Sequence, residues 1–219
     1  MKKLAIFDLD NTLINGDSDH AWGEFLVNQG FVDAAYYESR NNQFYQDYQN
    51  GHLDINEYLE FALAPLTEHS IEELAKMHQK FMIQMIQPML QTKATELLEE
   101  HRKQGHFLLI ITATNAFVTR PIAKLLNVDD ILATEPEIIN NCYTGNITGI
   151  PCFQEGKVTR LQQWLTDNDF SLDGSYFYSD SINDLPLLNA VEKAIAVDAD
   201  SKLTAIAKQK QWPIISLRK

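Results

Sequence analysis

Short apolar runs recur along the chain and alternate with segments of helical periodicity. The runs are almost continuously apolar, which is typical of strands in a parallel sheet that helices cover on both faces. Strands are predicted at residues 3–8, 106–112, 130–134, 175–179, 194–197 and 213–217. Turn-forming and β-branched residues also predict a β-hairpin around residues 145–156. The pattern predicts an α/β fold with a doubly wound parallel sheet, a Rossmann-like core that binds its ligand at the carboxyl ends of the strands.

Helical patterns connect these strands. Residues 92–104 read as a helix and are followed by Gly105, a residue type that often ends helices. Further along, Val158, Leu161 and Leu165 recur at the spacing of a core-facing helical stripe. Helices between consecutive strands are what a parallel sheet requires.

The segment 16–88 lacks strand-like runs and is predicted to be helical. Asp54 with Glu57, and Ser70 with Glu73, have the spacing of a capping box or a close relative of it, each just before a periodic apolar stretch. We expect this segment to be a helical cap inserted after the first strand. The expected domains are an α/β core of residues 1–15 and 89–219 and a cap of residues 16–88.

Composition narrows the range of functions. A chain of 219 residues that is 45% hydrophobic can bury one good core. Its formal net charge of −12 argues against a nucleic acid or an anionic membrane as partner, since both need a basic face. Two cysteines are too few for a disulfide framework, and Asp8 interrupts the first apolar stretch too early for a secretory signal. We expect a cytoplasmic protein that acts on a small molecule; the sequence leaves the oligomeric state open.

The stretch IFDLDNTLI directs two carboxylates, those of Asp8 and Asp10, to the end of a buried strand. Side chains two residues apart on a strand point to the same side, so both can address one site. Buried anions cost several kcal/mol unless something positive lies beside them. The alternative for this pair alone is a solvated acidic turn.

Two further segments suit phosphate binding. In IITATN, the hydroxyl of Thr112 and the backbone from Ala113 onward lie where a strand leads into a helix, although Thr and Asn are also ordinary helix caps. In GKVTRL, Lys157 opens a helix, where a cation is electrostatically out of place unless it is solvated or reaches an anion.

A fourth segment, YSDSINDLPLL, brings more carboxylates to a strand end. Asp180 ends an apolar strand, Asn183 and Asp184 follow, and Pro186 suits the first turn of a helix. Carboxylates from two strand ends form a hard oxygen cluster of the kind that binds Mg²⁺ together with waters and a substrate phosphate. The sequence therefore predicts a Mg²⁺ and phosphate site.

Together the four segments, DLDNT, ITATN, Lys157 and SDSIND in this order, resemble the four motifs of the haloacid dehalogenase superfamily. Their spacing and the helical insert after the first motif resemble its phosphoserine-phosphatase-like branch. The stretches LINGDSDHAW and GHLDINEYLEF resemble bacterial members assigned as histidinol-phosphate phosphatases. The resemblance extends over the whole chain.

This resemblance implies roles for the first two acids. Asp8 corresponds to the nucleophile, which forms an aspartyl-phosphate. Asp10 corresponds to the acid that protonates the leaving alcohol and then takes a proton from water. Dehalogenating relatives lack a carboxylate at that place, so Asp10 favours phosphate chemistry.

The resemblance also implies the ligands of the metal and of the phosphate. The Asp8 carboxylate, the Asp10 carbonyl and Asp180 would bind Mg²⁺, and Asp184 would hold its waters. The implied phosphate contacts are Thr112, Ala113, Lys157 and Asn183. Charge on the transferred phosphoryl oxygens makes such contacts important in phosphoryl transfer.

Substrate choice in this branch depends on the cap. Phosphoserine enzymes carry a glutamate nine positions after the nucleophile, where this chain has Asp17, and a cap arginine, for which Arg40 is the sole candidate. A surface role is the alternative for Arg40. Asp17, Asp19 and Glu24 would form an acidic entrance, which favours a substrate with amine or imidazolium groups and no carboxylate. We therefore predict histidinol phosphate as substrate, with phosphoserine as the alternative. Two cap histidines are either substrate contacts or ordinary histidines: His20 and His52.

Two other functions use similar chemistry. A phospho-accepting signalling module also has an acidic Mg²⁺ pocket, but it needs neither a closing lid nor a proton donor such as Asp10. A phosphotransferase would hand the phosphoryl group to another alcohol instead of water. Both stay open as more distant alternatives.

Overall fold

A seven-stranded sheet forms the centre of the structure, a computed structural model that describes residues 2–218. Its strands in chain order are β1 (Leu4–Phe7), β2 (Phe107–Asn115), β3 (Asp130–Ile139), β4 (Cys142–Thr148), β5 (Tyr176–Ser179), β6 (Lys193–Val197) and β7 (Ile214–Ile215). They are arranged in the order β4-β3-β2-β1-β5-β6-β7, and all neighbours are parallel except β3 and β4. The predicted doubly wound α/β fold is confirmed.

Helices connect the strands and cover the sheet. They are α1 (Ser18–Asn28), α2 (Ala34–Asn50), α3 (Ile55–Thr67), α4 (Ile71–Phe81), α5 (Thr92–Lys103), α6 (Ala116–Leu125), α7 (Glu155–Asn168), α8 (Leu185–Leu188) and α9 (Ser201–Lys210). Short helical turns occur at Leu9–Leu13, Met82–Ile86, Gln87–Met89 and Ile182–Asp184. Within residues 2–218, every helix is too short or too polar to cross a membrane.

The hairpin lies nearer the N-terminus than the predicted region 145–156. β3 and β4 pair as antiparallel neighbours, and the turn between them is Asn140–Asn141, with φ of 52° and 62°. Asparagine tolerates this left-handed conformation, which a tight hairpin turn requires. The turn signal was therefore the asparagine pair rather than the glycines that follow it.

Strand alternation divides the core between the two faces of the sheet. On β1, Ala5 and Phe7 face a cluster that includes residues of α5, α6 and the helices before them, whereas Leu4 and Ile6 face a cluster with α7, α8 and α9. All four side chains are fully buried. The next residue, Asp8, is the first at which the chain meets the carboxyl edge of the sheet.

We call α1 to α4 the helical insert. The chain leaves the sheet layer at Ile14 and returns at Leu90, and these two residues form an isolated antiparallel bridge. The insert shares one apolar cluster with the sheet, because the ring of Trp22 packs against Phe81 of the insert and Phe117 of α6. The insert is thus packed onto the α/β layer rather than attached through a free linker.

Candidate active site

The site is centred on a buried ion pair at the carboxyl end of β1. The backbone N–H of Asp8 donates to the Tyr178 carbonyl at 2.9 Å, and the Asp8 side chain receives the Lys157 ammonium at 2.8 Å. Asp8 is 4% exposed and Lys157 is 1% exposed. Burial raises the pKa of Asp8 to about 7, although Lys157 opposes this rise. Lys157 therefore supplies part of the positive charge that the sequence requires near Asp8.

A second carboxylate, Asp184, lies 2.6 Å from the same ammonium. The hydroxyl of Ser179 at the end of β5 donates to its other oxygen at 2.7 Å. Burial alone would lower the pKa of Lys157, but the charges of Asp184 and Asp8 raise it well above its usual value. Lys157 is thus held in its charged form between acids from two strand ends.

A tight turn before α7 brings Lys157 to this position. A Cβ atom on Gly156 would lie only 2.1 Å from the Pro151 carbonyl oxygen, so a side chain there would clash with the backbone. Gln154 just before it has φ of 47°, in the left-handed region. Lys157 lies in the first turn of α7, as predicted, and its side chain is buried against anions instead of being solvated.

Asp180, which follows β5, lies beside the same group of acids. The Thr12 hydroxyl donates to its carboxylate at 3.2 Å. Burial raises the pKa of Asp180 well above its usual value, and the charges of Asp8 and Asp184 raise it further.

Asp10 is oriented by a turn and not by strand alternation. Asp10 itself has extended backbone angles, but Asn11 is left-handed with φ of 56°, inside a helical turn that follows β1. The Ser18 N–H donates to one carboxylate oxygen at 2.6 Å, and the Thr114 hydroxyl donates to the other at 2.9 Å. Burial raises the pKa of Asp10, while the hydrogen bonds from Ser18 and Thr114 oppose the rise.

Thr114 is a site residue that sequence analysis missed. The predicted strand ends at Thr112, but β2 continues to Asn115, whose side chain accepts a hydrogen bond from Val118 and caps α6. Thr112 and Thr114 therefore lie two apart on one strand, and the Thr112 hydroxyl is 3.5 Å from the Asp10 carboxylate. The alternation Thr-Ala-Thr was the signal that could have identified Thr114.

A pocket lies between this edge of the sheet and the helical insert. Thr112 and Ala113 contribute to its wall. Its acidic lining residues are Asp8, Asp10, Asp17 and Asp19. Its ring-bearing lining residues are His20, Phe44, Tyr45, Tyr48 and Tyr58. No lysine or arginine of the described chain belongs to this lining.

Two acids of α1 face the pocket in different ways. Asp17 caps the helix, because its Oδ1 accepts hydrogen bonds from the N–H groups of Asp19 and His20 at 3.0 and 2.8 Å. Asp19 accepts a hydrogen bond from the Tyr58 hydroxyl of α3. Burial raises the pKa of Asp17 well above its usual value and that of Asp19 to about 7. The third acid of the expected entrance, Glu24, is exposed and is not part of this lining.

Arg40, the candidate for binding a substrate carboxylate, is absent from the lining of this pocket. Its guanidinium binds Glu57 at 2.6 Å and Gln43 at 3.0 Å, and it stacks over the ring of Phe44 at 4.3 Å. Arg40 and Glu57 together line a different pocket. Of the two cap histidines, His20 lines the pocket and His52 does not.

Asn183 was expected to contact phosphate, but it joins the core to the insert. Its amide N–H donates to the Tyr48 carbonyl of α2 at 3.0 Å, and its Oδ1 accepts from Gln154 at 3.4 Å. The amide is therefore occupied by protein partners and is absent from the lining of the pocket described above.

The donor set fits a hard divalent cation. The carboxylates of Asp8 and Asp184 share a single ammonium, and the charges of Asp10 and Asp180 act on the same group of acids. Acids in such excess need further positive charge. Among residues 2–218, no three acidic, histidine or cysteine side chains close around one point as a complete metal site. Mg²⁺ does not need such a site, since it is usually held by one or two carboxylates with waters and substrate phosphate.

Comparisons with known proteins agree with this geometry. Residues 5–189 match the haloacid dehalogenase-like hydrolase family. A histidinol-phosphatase of Neisseria meningitidis serogroup C (strain 8013) is 47% identical over 222 residues, with both chains fully covered. The structure of a protein of unknown function from Bordetella pertussis Tohama I is 42% identical, with a TM-score of 0.93 and 99% of both chains covered. A phosphoserine phosphatase in a phospho-aspartyl intermediate analogue form has a TM-score of 0.72 over 100% of this chain and 94% of the other, at 18% identity, which supports the fold alone.

The resemblance drawn from the four sequence motifs is thereby confirmed. The match covers all four of them, from Asp8 after β1 to Asp184 after β5. The chain therefore belongs to the haloacid dehalogenase-like hydrolase family, as an enzyme of its phosphatase type.

Proposed function

We propose that this protein is a Mg²⁺-dependent phosphatase that hydrolyses a small phosphomonoester, histidinol phosphate, to histidinol. The observation that carries the proposal is the buried pair of Asp8 and Lys157 beside a second, separately held acid, Asp10. This arrangement supplies a nucleophile, a fixed cation and a proton donor at one strand edge. A metabolic enzyme of this kind is expected in the cytoplasm.

Asp8 acts as the nucleophile. Its carboxylate attacks phosphorus and forms an aspartyl-phosphate, which water then hydrolyses. Lys157 keeps the carboxylate in place before the attack and binds phosphoryl oxygens afterwards, because its ammonium lies within 2.8 Å of Asp8. Thr112 and the backbone of Ala113 line the pocket and contact the remaining phosphoryl oxygens.

Asp10 acts as the acid and then as the base. Burial raises its pKa, which favours the protonated form that gives a proton to the leaving alcohol. The resulting carboxylate accepts a proton from the hydrolytic water. Its contacts with Ser18 and Thr114 keep the group in one orientation through both steps.

The Asp8 carboxylate, the Asp10 carbonyl and Asp180 would hold Mg²⁺, and Asp184 would hold its waters. The ion would supply the positive charge that neutralises the phosphate and the acids around it. We also propose that the helical insert serves as the cap over this edge, with the core at residues 1–15 and 89–219 and the cap at residues 16–88.

The lining of the pocket favours histidinol phosphate over phosphoserine. Asp17 and Asp19 suit a substrate with amine or imidazole groups. The described lining contains no lysine or arginine that could bind a substrate carboxylate. Arg40 is paired with Glu57 and is not available to bind a substrate carboxylate. The name of the relative from Neisseria meningitidis also supports histidinol phosphate. Phosphoserine is the second candidate, since Asp17 keeps the charge found at that position in phosphoserine enzymes.

A panel of phosphomonoesters assayed with Mg²⁺ and again with a chelator tests the proposal. We expect phosphate release that needs Mg²⁺, with kcat/KM higher for histidinol phosphate than for phosphoserine. Asp8→Asn should lower kcat by several orders of magnitude, because an amide cannot form the acyl phosphate. Asp167→Asn, at an exposed site of α7, is the matched control. Near-normal turnover by Asp8→Asn, or full activity in chelator, would refute the mechanism.

A further inference from the structure

Asp19 has no protein cation beside it although it is almost fully buried. Its side chain lies in the first turn of α1 and is 8% exposed. One oxygen accepts a hydrogen bond from Tyr58, and within residues 2–218 neither oxygen pairs with lysine, arginine or histidine. The residue is part of the pocket lining. A charged group in this setting lacks a partner of opposite sign.

Local structure does not explain this carboxylate. Asp17 already caps the start of α1, because its Oδ1 accepts hydrogen bonds from the N–H groups of Asp19 and His20 in the first turn. The helix dipole does favour an acid at this place, but the gain is smaller than the desolvation cost of a buried carboxylate. Asp19 is therefore better explained by a partner that enters the pocket.

The residues of the pocket around Asp19 indicate the chemical class of that partner. Tyr58 contacts Asp19 directly, and the pocket that Asp19 lines contains further rings. The His20 and Tyr45 rings lie 4.8 Å apart, and the Phe44 and Tyr58 rings lie 5.3 Å apart at 71°. Aromatic rings around a carboxylate recognise organic cations through ion pairing and cation–π contact. No cationic side chain of the described chain competes for this place in the pocket.

We propose that Asp19, positioned by Tyr58, is the residue that selects substrates carrying a protonated amine or imidazolium, on the wall of the pocket that the helical insert provides. This inference rests on the proposed phosphatase function and adds the residue that recognises the non-phosphate end of the substrate. Asp17 remains mainly a helix cap, so the two neighbouring acids differ in function.

Asp19→Asn tests the inference, since it removes the charge, keeps the size of the side chain and still accepts from Tyr58. The readout is kcat/KM for histidinol phosphate and for propyl phosphate, a neutral-tailed ester. We expect the loss on histidinol phosphate to exceed the loss on propyl phosphate by about 10- to 100-fold, mostly in KM, because a charge-assisted contact is removed. Tyr58→Phe keeps the carboxylate. Its loss of kcat/KM on histidinol phosphate should therefore exceed its loss on propyl phosphate by a smaller factor than in Asp19→Asn.

An equal loss on both esters would overturn this inference alone and would indicate a structural role for Asp19. A wild-type enzyme that hydrolyses neither ester would instead overturn the proposed function. A second measurement needs no variant. Free histidinol should inhibit propyl phosphate hydrolysis competitively in the wild type, whereas propanol, which has neither an imidazole nor an amine, should not. Equal inhibition by both alcohols would count against a cation subsite.

Discussion

At the scale of single residues, the site depends on how each acid is held. Asp8 is bound to a lysine, whereas Asp10 is bound to neutral donors, the Ser18 N–H and the Thr114 hydroxyl. A lysine stabilises a negative charge and so suits a nucleophile, while neutral donors leave a carboxyl group free to exchange a proton. The difference between the two acids therefore follows from their partners, since both are aspartates two residues apart.

Thr114→Val should impair the proton transfer assigned to Asp10. It removes the hydroxyl with little change in shape, so we expect kcat to fall about tenfold or more with a small change in KM. The hydrogen bond lowers the pKa of Asp10, so its loss should shift the Asp10 limb of the pH profile of kcat to higher pH. Thr114→Ser is the control and should restore activity. An unshifted profile with normal kcat would exclude this role.

At the scale of elements, the insert depends on local signals at the helix ends. Asp54 and Ser70 both cap helices, as predicted, but only Ser70 forms a complete capping box, with Glu73. In the other pair, Glu57 turns away to bind Arg40. The same spacing thus gives a full box only where no arginine competes for the glutamate.

Ser70→Ala should destabilise α4, because the substitution leaves the Glu73 N–H without its side-chain acceptor. The expected loss in the free energy of unfolding is about 1 kcal/mol. Urea denaturation followed by circular dichroism measures it, and Ser70→Asp should retain most of the stability. An alanine variant as stable as the wild type would show that α4 does not depend on this cap.

At the scale of the whole molecule, a histidine pair couples stability to pH. His101 at the end of α5 is buried between the Tyr178 hydroxyl and the His106 ring, with both contacts at 2.8 Å. Burial, together with the positive charges of His106 and Lys193, lowers the pKa of His101 from 6.5 to about 4. The fold therefore holds this histidine in its neutral form.

Acid should consequently destabilise the protein through His101. Between about pH 6.5 and 4 the unfolded chain binds a proton that the folded chain does not, so the free energy of unfolding falls as the pH falls through this window. In His101→Gln this contribution is absent. Urea titrations at pH 7 and pH 4.5 should show a larger drop for the wild type than for the variant. Equal drops would mean that His101 titrates normally.

Much of the fold and part of the site could be predicted because the signals are local. Every predicted strand exists, and α5 ends before Gly105 with φ of 75°, as its pattern indicates. Lys157 was recognisable from its unfavourable place at a helix start. Signals that depend on distant partners were missed or misread: Thr114 lies 104 positions from Asp10, and Arg40 pairs with a glutamate of another helix.

The sequence by itself determined where the strands lie along the chain and that the acids following them require positive charge, because apolar runs and residue charge are properties of neighbouring positions. Only the tertiary structure decided which groups meet. It brings Lys157 to Asp8 across 149 positions and leaves Asp19 facing an open pocket with Tyr58 behind it. The physical reason is that one charge can be satisfied by several partners, and packing of the helices against the sheet selects the one that lies within hydrogen-bond distance.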